Sequence, residues 1–290
     1  MAFQVFLYGL VAGTQVLLIA LALYLIYAVS RVQNLALGAI AASVAYALYG
    51  VLQGTTVPFF AVLLVPLVLA VVLGIVNFFL NESFTRKQEY LLALLVSFSF
   101  GVILESLIAI VFGTDGKNVV QGILPVVAIG SAQIPLPGLG IIIFGFLVTG
   151  IFFFVTRCTP WGRWLKAISE NQFFAMGLGM NQARIRFVTY IIASIIAGVV
   201  GVLSGMNTAL VPTMGFNLVI VAFIAFLVGG LSDIRGMVVA SYLVTLVPEF
   251  IIAFSGGVSA SWKMPLVFVI AFLLLAVRPR GLFAGYYRTS

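Results

Sequence analysis

A chain of 290 residues with 63% hydrophobic and only 7% charged side chains cannot hide its apolar surface in water, since soluble domains are about 25% charged and about 45–50% apolar; lipid must be the solvent for most of it. Its net charge of +7 sits on bases placed between apolar runs, the pattern of loops held on the cytoplasmic side of a membrane rather than of a nucleic-acid surface. A single cysteine, Cys158, and no histidine exclude a disulfide framework, a His/Cys metal cluster and histidine acid–base catalysis.

Crossing the hydrocarbon as a helix takes roughly 20 apolar residues. Val5–Val29 meets that length. It is too long for the apolar core of a signal peptide and has no charged segment before it, so no cleaved leader is expected. Ser30–Asn34 interrupts with Arg31, Gln33 and Asn34. Leu35–Leu52 is a second run whose Gly38, Ala39, Ala41, Ala42 and Ala45 suit close helix packing. Pro58–Leu80 is the third, with Pro66 inside it, and Asn81–Glu89 reads as an exposed loop. Tyr90–Phe112 is the fourth.

The segment 113–140 is rich in Gly and Pro and reads as an external loop with strand-like or interfacial pieces. Ile141–Thr156 is a fifth span, short unless it begins within Pro137–Gly140, and Phe187–Leu210 is the sixth. Phe216–Val228 and Met237–Val247 are each short for a crossing and are split by GGLSDIRG; this favours a pair of half-helices that dip into the membrane and return, with two thin spans as the alternative. Lys263–Val277 is the last span, before a basic tail. With the amino terminus outside, eleven of the fourteen Lys and Arg residues fall on the cytoplasmic side, as does the carboxyl terminus, on either reading of 216–247.

Between spans five and six, Arg157–Arg186 holds five of the fourteen bases and one acid. Thr159 followed by Pro160 is a helix start, a hydroxyl cap and then proline at the first helical position. Gly177 and Gly179 can end that helix, and Ser169 or Asn171 can cap a second one. The result is one or two short helices along the membrane surface, offering Phe173, Phe174 and Met176 either to a partner protein or to lipid headgroups. The residues alone weigh these equally.

Ionisable groups at membrane depth are costly and mark functional sites by default. Glu105 lies deep in the fourth span, near Ser97, Ser99 and Ser106, and reads either as lining a path or as bonding a neighbouring helix. Gly229, Gly230, Ser232, Asp233 and Arg235 read either as path-lining half-helix ends or as a cytoplasmic surface loop, with Asp233 and Arg235 able to pair with each other or with Glu105. Asn34 and Asn77 are amides that either bridge helices or line the path. Glu249 reads as external and structural. No phosphate-binding loop is visible: Gly113–Asn118 lacks the spacing and the Ser or Thr of one.

Five stretches together resemble permease subunits of branched-chain amino acid (LivH/LivM-type) ATP-binding-cassette importers. They are Gly162, Arg163, Ala167, Glu170, Ala175, Gly179, Asn181 and Arg184 in the basic loop; Asn34 and Gly38; Gly229, Gly230 and Gly236; Glu249; and Pro279, Gly281 and Leu282. The chain departs from the family pattern where Leu37 and Ile40 stand for a histidine and an acid, and where Asp233 and Arg235 add charge. The resemblance implies that the loop 157–186 couples to an ATPase through Arg163, Ala167, Glu170, Ala175 and Gly179, with the cap residues Asn171 and Gly177.

The resemblance further implies a multi-pass bacterial inner-membrane protein that is not itself an enzyme. Its partners would be a second permease, identical or homologous, two cytoplasmic ATPase subunits that use ATP and Mg, and an extracytoplasmic solute-binding protein. The chain itself would bind no cofactor and no metal. The implied cargo is a small amino acid or a related amide such as urea, with a sugar or other polar solute as the alternative. A stand-alone secondary transporter is the rival class; it would want several intramembrane carboxylates, and the basic loop would then have no task. The expected fold is an all-α integral membrane protein, one permease domain over residues 1–290, with about seven to nine membrane segments.

Overall fold

The computed structural model describes residues 2–54, 59–119, 125–130, 132–170, 180–230, 234–255, 259–279 and 281–282. In chain order these form α1 (Ala2–Ser30), α2 (Ala36–Gly54), α3 (Phe59–Arg86), α4 (Tyr90–Phe112), the hairpin β1 (Val126–Ile129) and β2 (Ala132–Pro135), α5 (Leu136–Cys158), α6 (Pro160–Glu170), α7 (Gln182–Asn207), α8 (Met214–Gly229), α9 (Ile234–Phe254) and, after a 3-10 turn at Ala260–Trp262, α10 (Lys263–Val277). Among the described residues seven helices are long and apolar enough to cross a membrane, namely α1 to α5, α7 and α9, and α8 and α10 are shorter apolar helices.

α1 is hydrophobic all round, which suits a helix enclosed by others. Residues from Val16 to Ile26 are almost wholly buried on it, and it packs against α5, α7, α8 and α9. α2 is the second inner helix. Its small residues let other backbones come close, as the sequence predicts. A Cβ on Gly201 of α7 would collide with the Ala41 carbonyl, and one on Gly205 would press on Ala45; on the α3 side, one on Gly198 would press on Ala70. In lipid, where apolar burial gives no drive to associate, such close approach supplies the van der Waals attraction.

The loops sort into two ends. At one, Gln4 ties α1 to the hairpin: its Nε2 donates to the Gln133 carbonyl at 2.7 Å, and the Gln133 N–H donates to its Oε1 at 2.9 Å. Lys117 bridges Leu210, and Lys263 pairs with Glu249, at that same end. At the other, basic end, Arg31 takes a positive φ of 55°; its guanidinium lies over the Tyr27 ring and donates to the Ser169 carbonyl, seating α6 on α1. Leu282 closes this end by donating its N–H to the Val228 carbonyl at 2.9 Å.

Three expectations are corrected. The loop expected from Asn81 is helix to Arg86, where three polar side chains are held: Asn81 Nδ2 donates to the Asn77 carbonyl at 2.9 Å, Thr85 donates to the Asn81 carbonyl, and Glu82 meets Arg186. The helix then ends in a left-handed cap, with Gln88 at φ 61° and the Glu89 N–H reaching the Phe84 carbonyl. The second expected half-helix does not stop at Val247. It continues through the buried Pro248 to Phe254, since a backbone in lipid has no water to turn to and stays helical past a proline. Only α8, with 16 residues, keeps half-helix proportions. Finally, the fifth span begins at Leu136, inside the expected loop 113–140, as the Pro at its first turn allows.

Candidate functional site

Three elements meet midway along the bundle: the start of α2, the middle of α4 and the start of α8. Gly38 and Gly215 bring α2 and α8 into backbone contact, since a Cβ on either would collide with the carbonyl oxygen of the other. The first N–H groups of a helix have no partner within it. At α8 the residue in the capping position, Thr213, makes no side-chain cap. The missing acceptor comes from another helix: Glu105 on α4 accepts the Phe216 N–H at 3.1 Å. A carboxylate at a helix amino terminus also meets the positive end of the helix dipole.

Phe98, Val102 and Glu105 form one stripe on α4, at positions i, i+4 and i+7. With Leu35, Ala39, Gly101 and Phe216 they line a recess of about 10 Å³, room for roughly one water molecule. Phe98 and Val102 are exposed, at 37% and 44%, so the recess opens on the outer face of α4 rather than into the packed bundle. Among the described residues no basic side chain pairs with Glu105, and one of its oxygens is free to accept from something in the recess. Ser99 and Ser106 are exposed and lie outside this lining.

Behind the recess lies a buried polar seam. Ser97 Oγ accepts the Leu35 N–H at 3.4 Å and so ties the start of α2 to α4. Asn34 and Asn77 exchange side-chain amide bonds at 3.1 and 3.2 Å, both fully buried, and Asn34 Oδ1 also accepts the Ala36 N–H at the start of α2. One turn on, Asn81 Nδ2 donates to Asn77 Oδ1 at 2.9 Å. At the next residue of α3, Arg186 of α7 grips Glu82 with two bonds, at 2.7 and 2.9 Å. Replacing Asn77 by Leu strands the Asn34 amide, and the expected loss is about 1–2 kcal/mol, read as a lowered unfolding midpoint in mixed detergent; Asn34→Leu with Asn77→Leu should lose less than the sum of the singles.

The remaining candidates lie elsewhere. Gly229 and Gly230 are buried at the basic end, where Gly229 abuts the Met237 backbone and Gly230, at φ 100°, abuts Gly281. Arg235 is exposed at the start of α9. The length of α8 separates it from Glu105 by roughly 20 Å, which rules out one of the two pairings the sequence left open for Arg235; the other, with Asp233, lies outside the described residues. Arg163 is exposed and Ala167 half-buried on α6. Thr159 caps α6 as expected, its Oγ1 accepting the Gly162 N–H at 3.3 Å. Leu165 and Ile168 face the bundle, while Arg163, Trp164 and Lys166 face out. Asn171, Ala175, Gly177, Gly179, Ser232 and Asp233, and the side chain of Glu170, lie outside the described residues. Glu82 and Arg186 were not among the expected site residues; a lone acid at the end of the third apolar run was the available signal.

The profile of a family described as "Branched-chain amino acid transport system / permease component" matches residues 5–277. The chain belongs to this family of permeases. A probable branched-chain amino acid transport permease protein LivH of Methanocaldococcus jannaschii is 24% identical over 287 residues, covering 92% of this chain and 89% of that protein. The high-affinity branched-chain amino acid transport system permease protein LivH of Escherichia coli K12 is 26% identical over 208 residues, 68% of this chain and 65% of its own length. In BraD of Pseudomonas aeruginosa the identity is 30% over 134 residues, 46% of this chain and 42% of that one. Among solved structures, PsaBC from Streptococcus pneumoniae in complex with Fab superposes with a TM-score of 0.52 at 16% identity, covering 94% of this chain and 91% of that one, a likeness of fold alone.

The permease is thus a multi-pass inner-membrane protein whose long apolar helices and family agree. Glu105, an intramembrane carboxylate that caps another helix, stands beside the recess on the outer face of α4.

Proposed function

We propose that the permease forms one wall of the path for a small amino acid, of the branched-chain class its relatives are named for, and that an ATPase drives it through α6 and the segment that follows. The observation that carries this reading is Glu105: a carboxylate on the exposed face of α4, with a free oxygen and, among the described residues, no cation paired with it. A charge facing hydrocarbon is costly. That face is instead covered by a second permease across a watered path. The recess takes about one water, so it is a wall and not a whole site; the facing permease completes it. Glu105 receives the solute's ammonium, and the apolar Leu35, Ala39, Phe98 and Val102 receive its side chain.

On this reading the basic end is cytoplasmic, as the placement of Lys and Arg favours, and the hairpin end faces the solute-binding protein. α6 is amphipathic, with its apolar edge on α1 and its basic edge outward, which suits a surface that receives a push. No step of ATP chemistry falls to this chain; the ATPase subunits supply it.

The test is uptake by the permease reconstituted with the ATPase subunits and binding protein encoded beside it. Uptake of leucine should require ATP on the α6 side and persist when ionophores collapse the ion gradients. Uptake by the permease alone down a sodium or proton gradient would contradict the reading.

A further inference from the structure

The first helix after the coupling segment is α7, and its entry is clamped. Arg186 lies in its second turn, 7% exposed at the side chain, against Glu82 of α3 at 14%. The contact is a fork: Nη2 to Oε1 at 2.7 Å and Nε to Oε2 at 2.9 Å. Gln182 Oε1 accepts from Arg186 Nη1 at 3.4 Å, and Arg86 leans on the same carboxylate. Two parallel bonds fix angle as well as distance, so α7 cannot rotate at its entry without carrying α3 with it. A buried ion pair is a weak device for stability, because desolvating two charges offsets their attraction, and apolar replacements of similar volume often do as well. Its geometry is what an apolar pair cannot reproduce.

What α3 carries leads to the recess. Asn81, the residue before Glu82 on the same helix, bonds to Asn77, and Asn77 is locked to Asn34, whose oxygen holds the start of α2. Leu35 and Ala39 of that start line the recess with Glu105. The seam is also under-bonded in this arrangement. The buried Ser30 Oγ, Asn81 Oδ1, Tyr190 OH and Ser194 Oγ have no hydrogen-bond partner among the described residues; Tyr190 lies beside Asn34 and Ser30 without a bond of good geometry to either. Buried groups of that kind are rare. A driven change needs contacts that differ between two states, and unpaired buried groups such as these are where a second arrangement has bonds to gain.

We infer that Arg186 and Glu82 are positioning residues that transmit the movement of the coupling segment, through α7 and α3, to the start of α2 at the recess. The inference rests on the reading that an ATPase pushes at the basic end. It is tested in the assembled complex by measuring leucine uptake and ATP hydrolysis together, with Glu82→Met plus Arg186→Met, with the exchanged pair Glu82→Arg plus Arg186→Glu, and with Glu82→Gln. The apolar pair should insert and co-purify with the ATPase, yet lose at least tenfold in uptake, with ATP spent per leucine rising by a similar factor. The exchanged pair should return the ratio to within about threefold of the unaltered complex. Glu82→Gln, which keeps size and an acceptor but not the charge, should raise the ratio about threefold. An apolar pair with an unaltered ratio overturns the inference. Should that pair fail to assemble, Glu82→Gln decides, and an unaltered ratio there overturns it equally. An unaltered complex that couples no ATP to uptake would instead remove the underlying reading.

Discussion

Replacing Gly38 by leucine should remove the folded permease from the membrane, by more than tenfold in a detergent extract resolved by size. At Gly38 and Gly215 the backbones of α2 and α8 touch, and a side chain on either meets a carbonyl group rather than a movable side chain. Overfilling a packed site costs about 1–3 kcal/mol even where neighbours are side chains that can shift. Here the two helix starts must part, which also pulls Phe216 from Glu105 and opens the recess. Gly150 is the internal control. A Cβ there meets nothing within 4 Å, and Gly150→Ala should leave the yield equal or slightly raised, since Ala is favoured over Gly in a helix by about 1 kcal/mol. Equal yields for Gly38→Leu and Gly150→Leu would contradict the packing described.

The second large effect is at Glu105, where two roles have to be separated. As a cap it satisfies the Phe216 N–H, which any acceptor of the same length can do. As a charge in the path it meets the solute. Glu105→Ala removes both and should lower uptake by about a hundredfold, of the order of the 2.7 kcal/mol that two decades represent, with some loss of assembly. Glu105→Gln keeps an acceptor and should assemble like the unaltered protein, but with uptake still at least tenfold lower. Initial rates measured at saturating loaded binding protein decide between them. If Glu105→Gln transports at the unaltered rate, the carboxylate is a cap and nothing more.

Much of this architecture was readable from residues alone because lipid narrows the options. Apolar runs longer than about 20 residues must be helices there, and so α1, α4 and α7 fell where their runs fell. Thr159–Pro160 announced α6, and the Gly and Ala of α2 announced close packing. What escaped was set by partners distant in the chain. Asn81 and Glu82 looked like the start of a loop because they are polar; Asn81 bonds back to Asn77, which is locked to the distant Asn34, and Glu82 finds Arg186 on an element 104 positions away. Likewise nothing near Phe216 says that its N–H is capped from α4, 111 positions away. Pro248 reads as a helix end in water, and only the lack of any other backbone partner in lipid carries α9 past it. Gly229 and Gly230 read as half-helix ends pointing to a solute, and they are at a helix end, but one packed on the Gly236–Met237 backbone and the tail.

The account turns on whether the outer face of α4 beside Glu105 meets water and solute or meets lipid. The chain has one cysteine, Cys158, which is exposed, so Cys158→Ser gives a background free of thiol. A cysteine placed at Val102, one turn before Glu105 in the recess, can then be offered a charged, membrane-impermeant thiol reagent in the assembled complex. The account predicts that it labels, that solute delivered by the binding protein slows labelling several-fold, and that trapping the ATPase with nucleotide changes the rate. A cysteine there that reacts only with a lipid-soluble reagent, at a rate indifferent to solute and nucleotide, would contradict it.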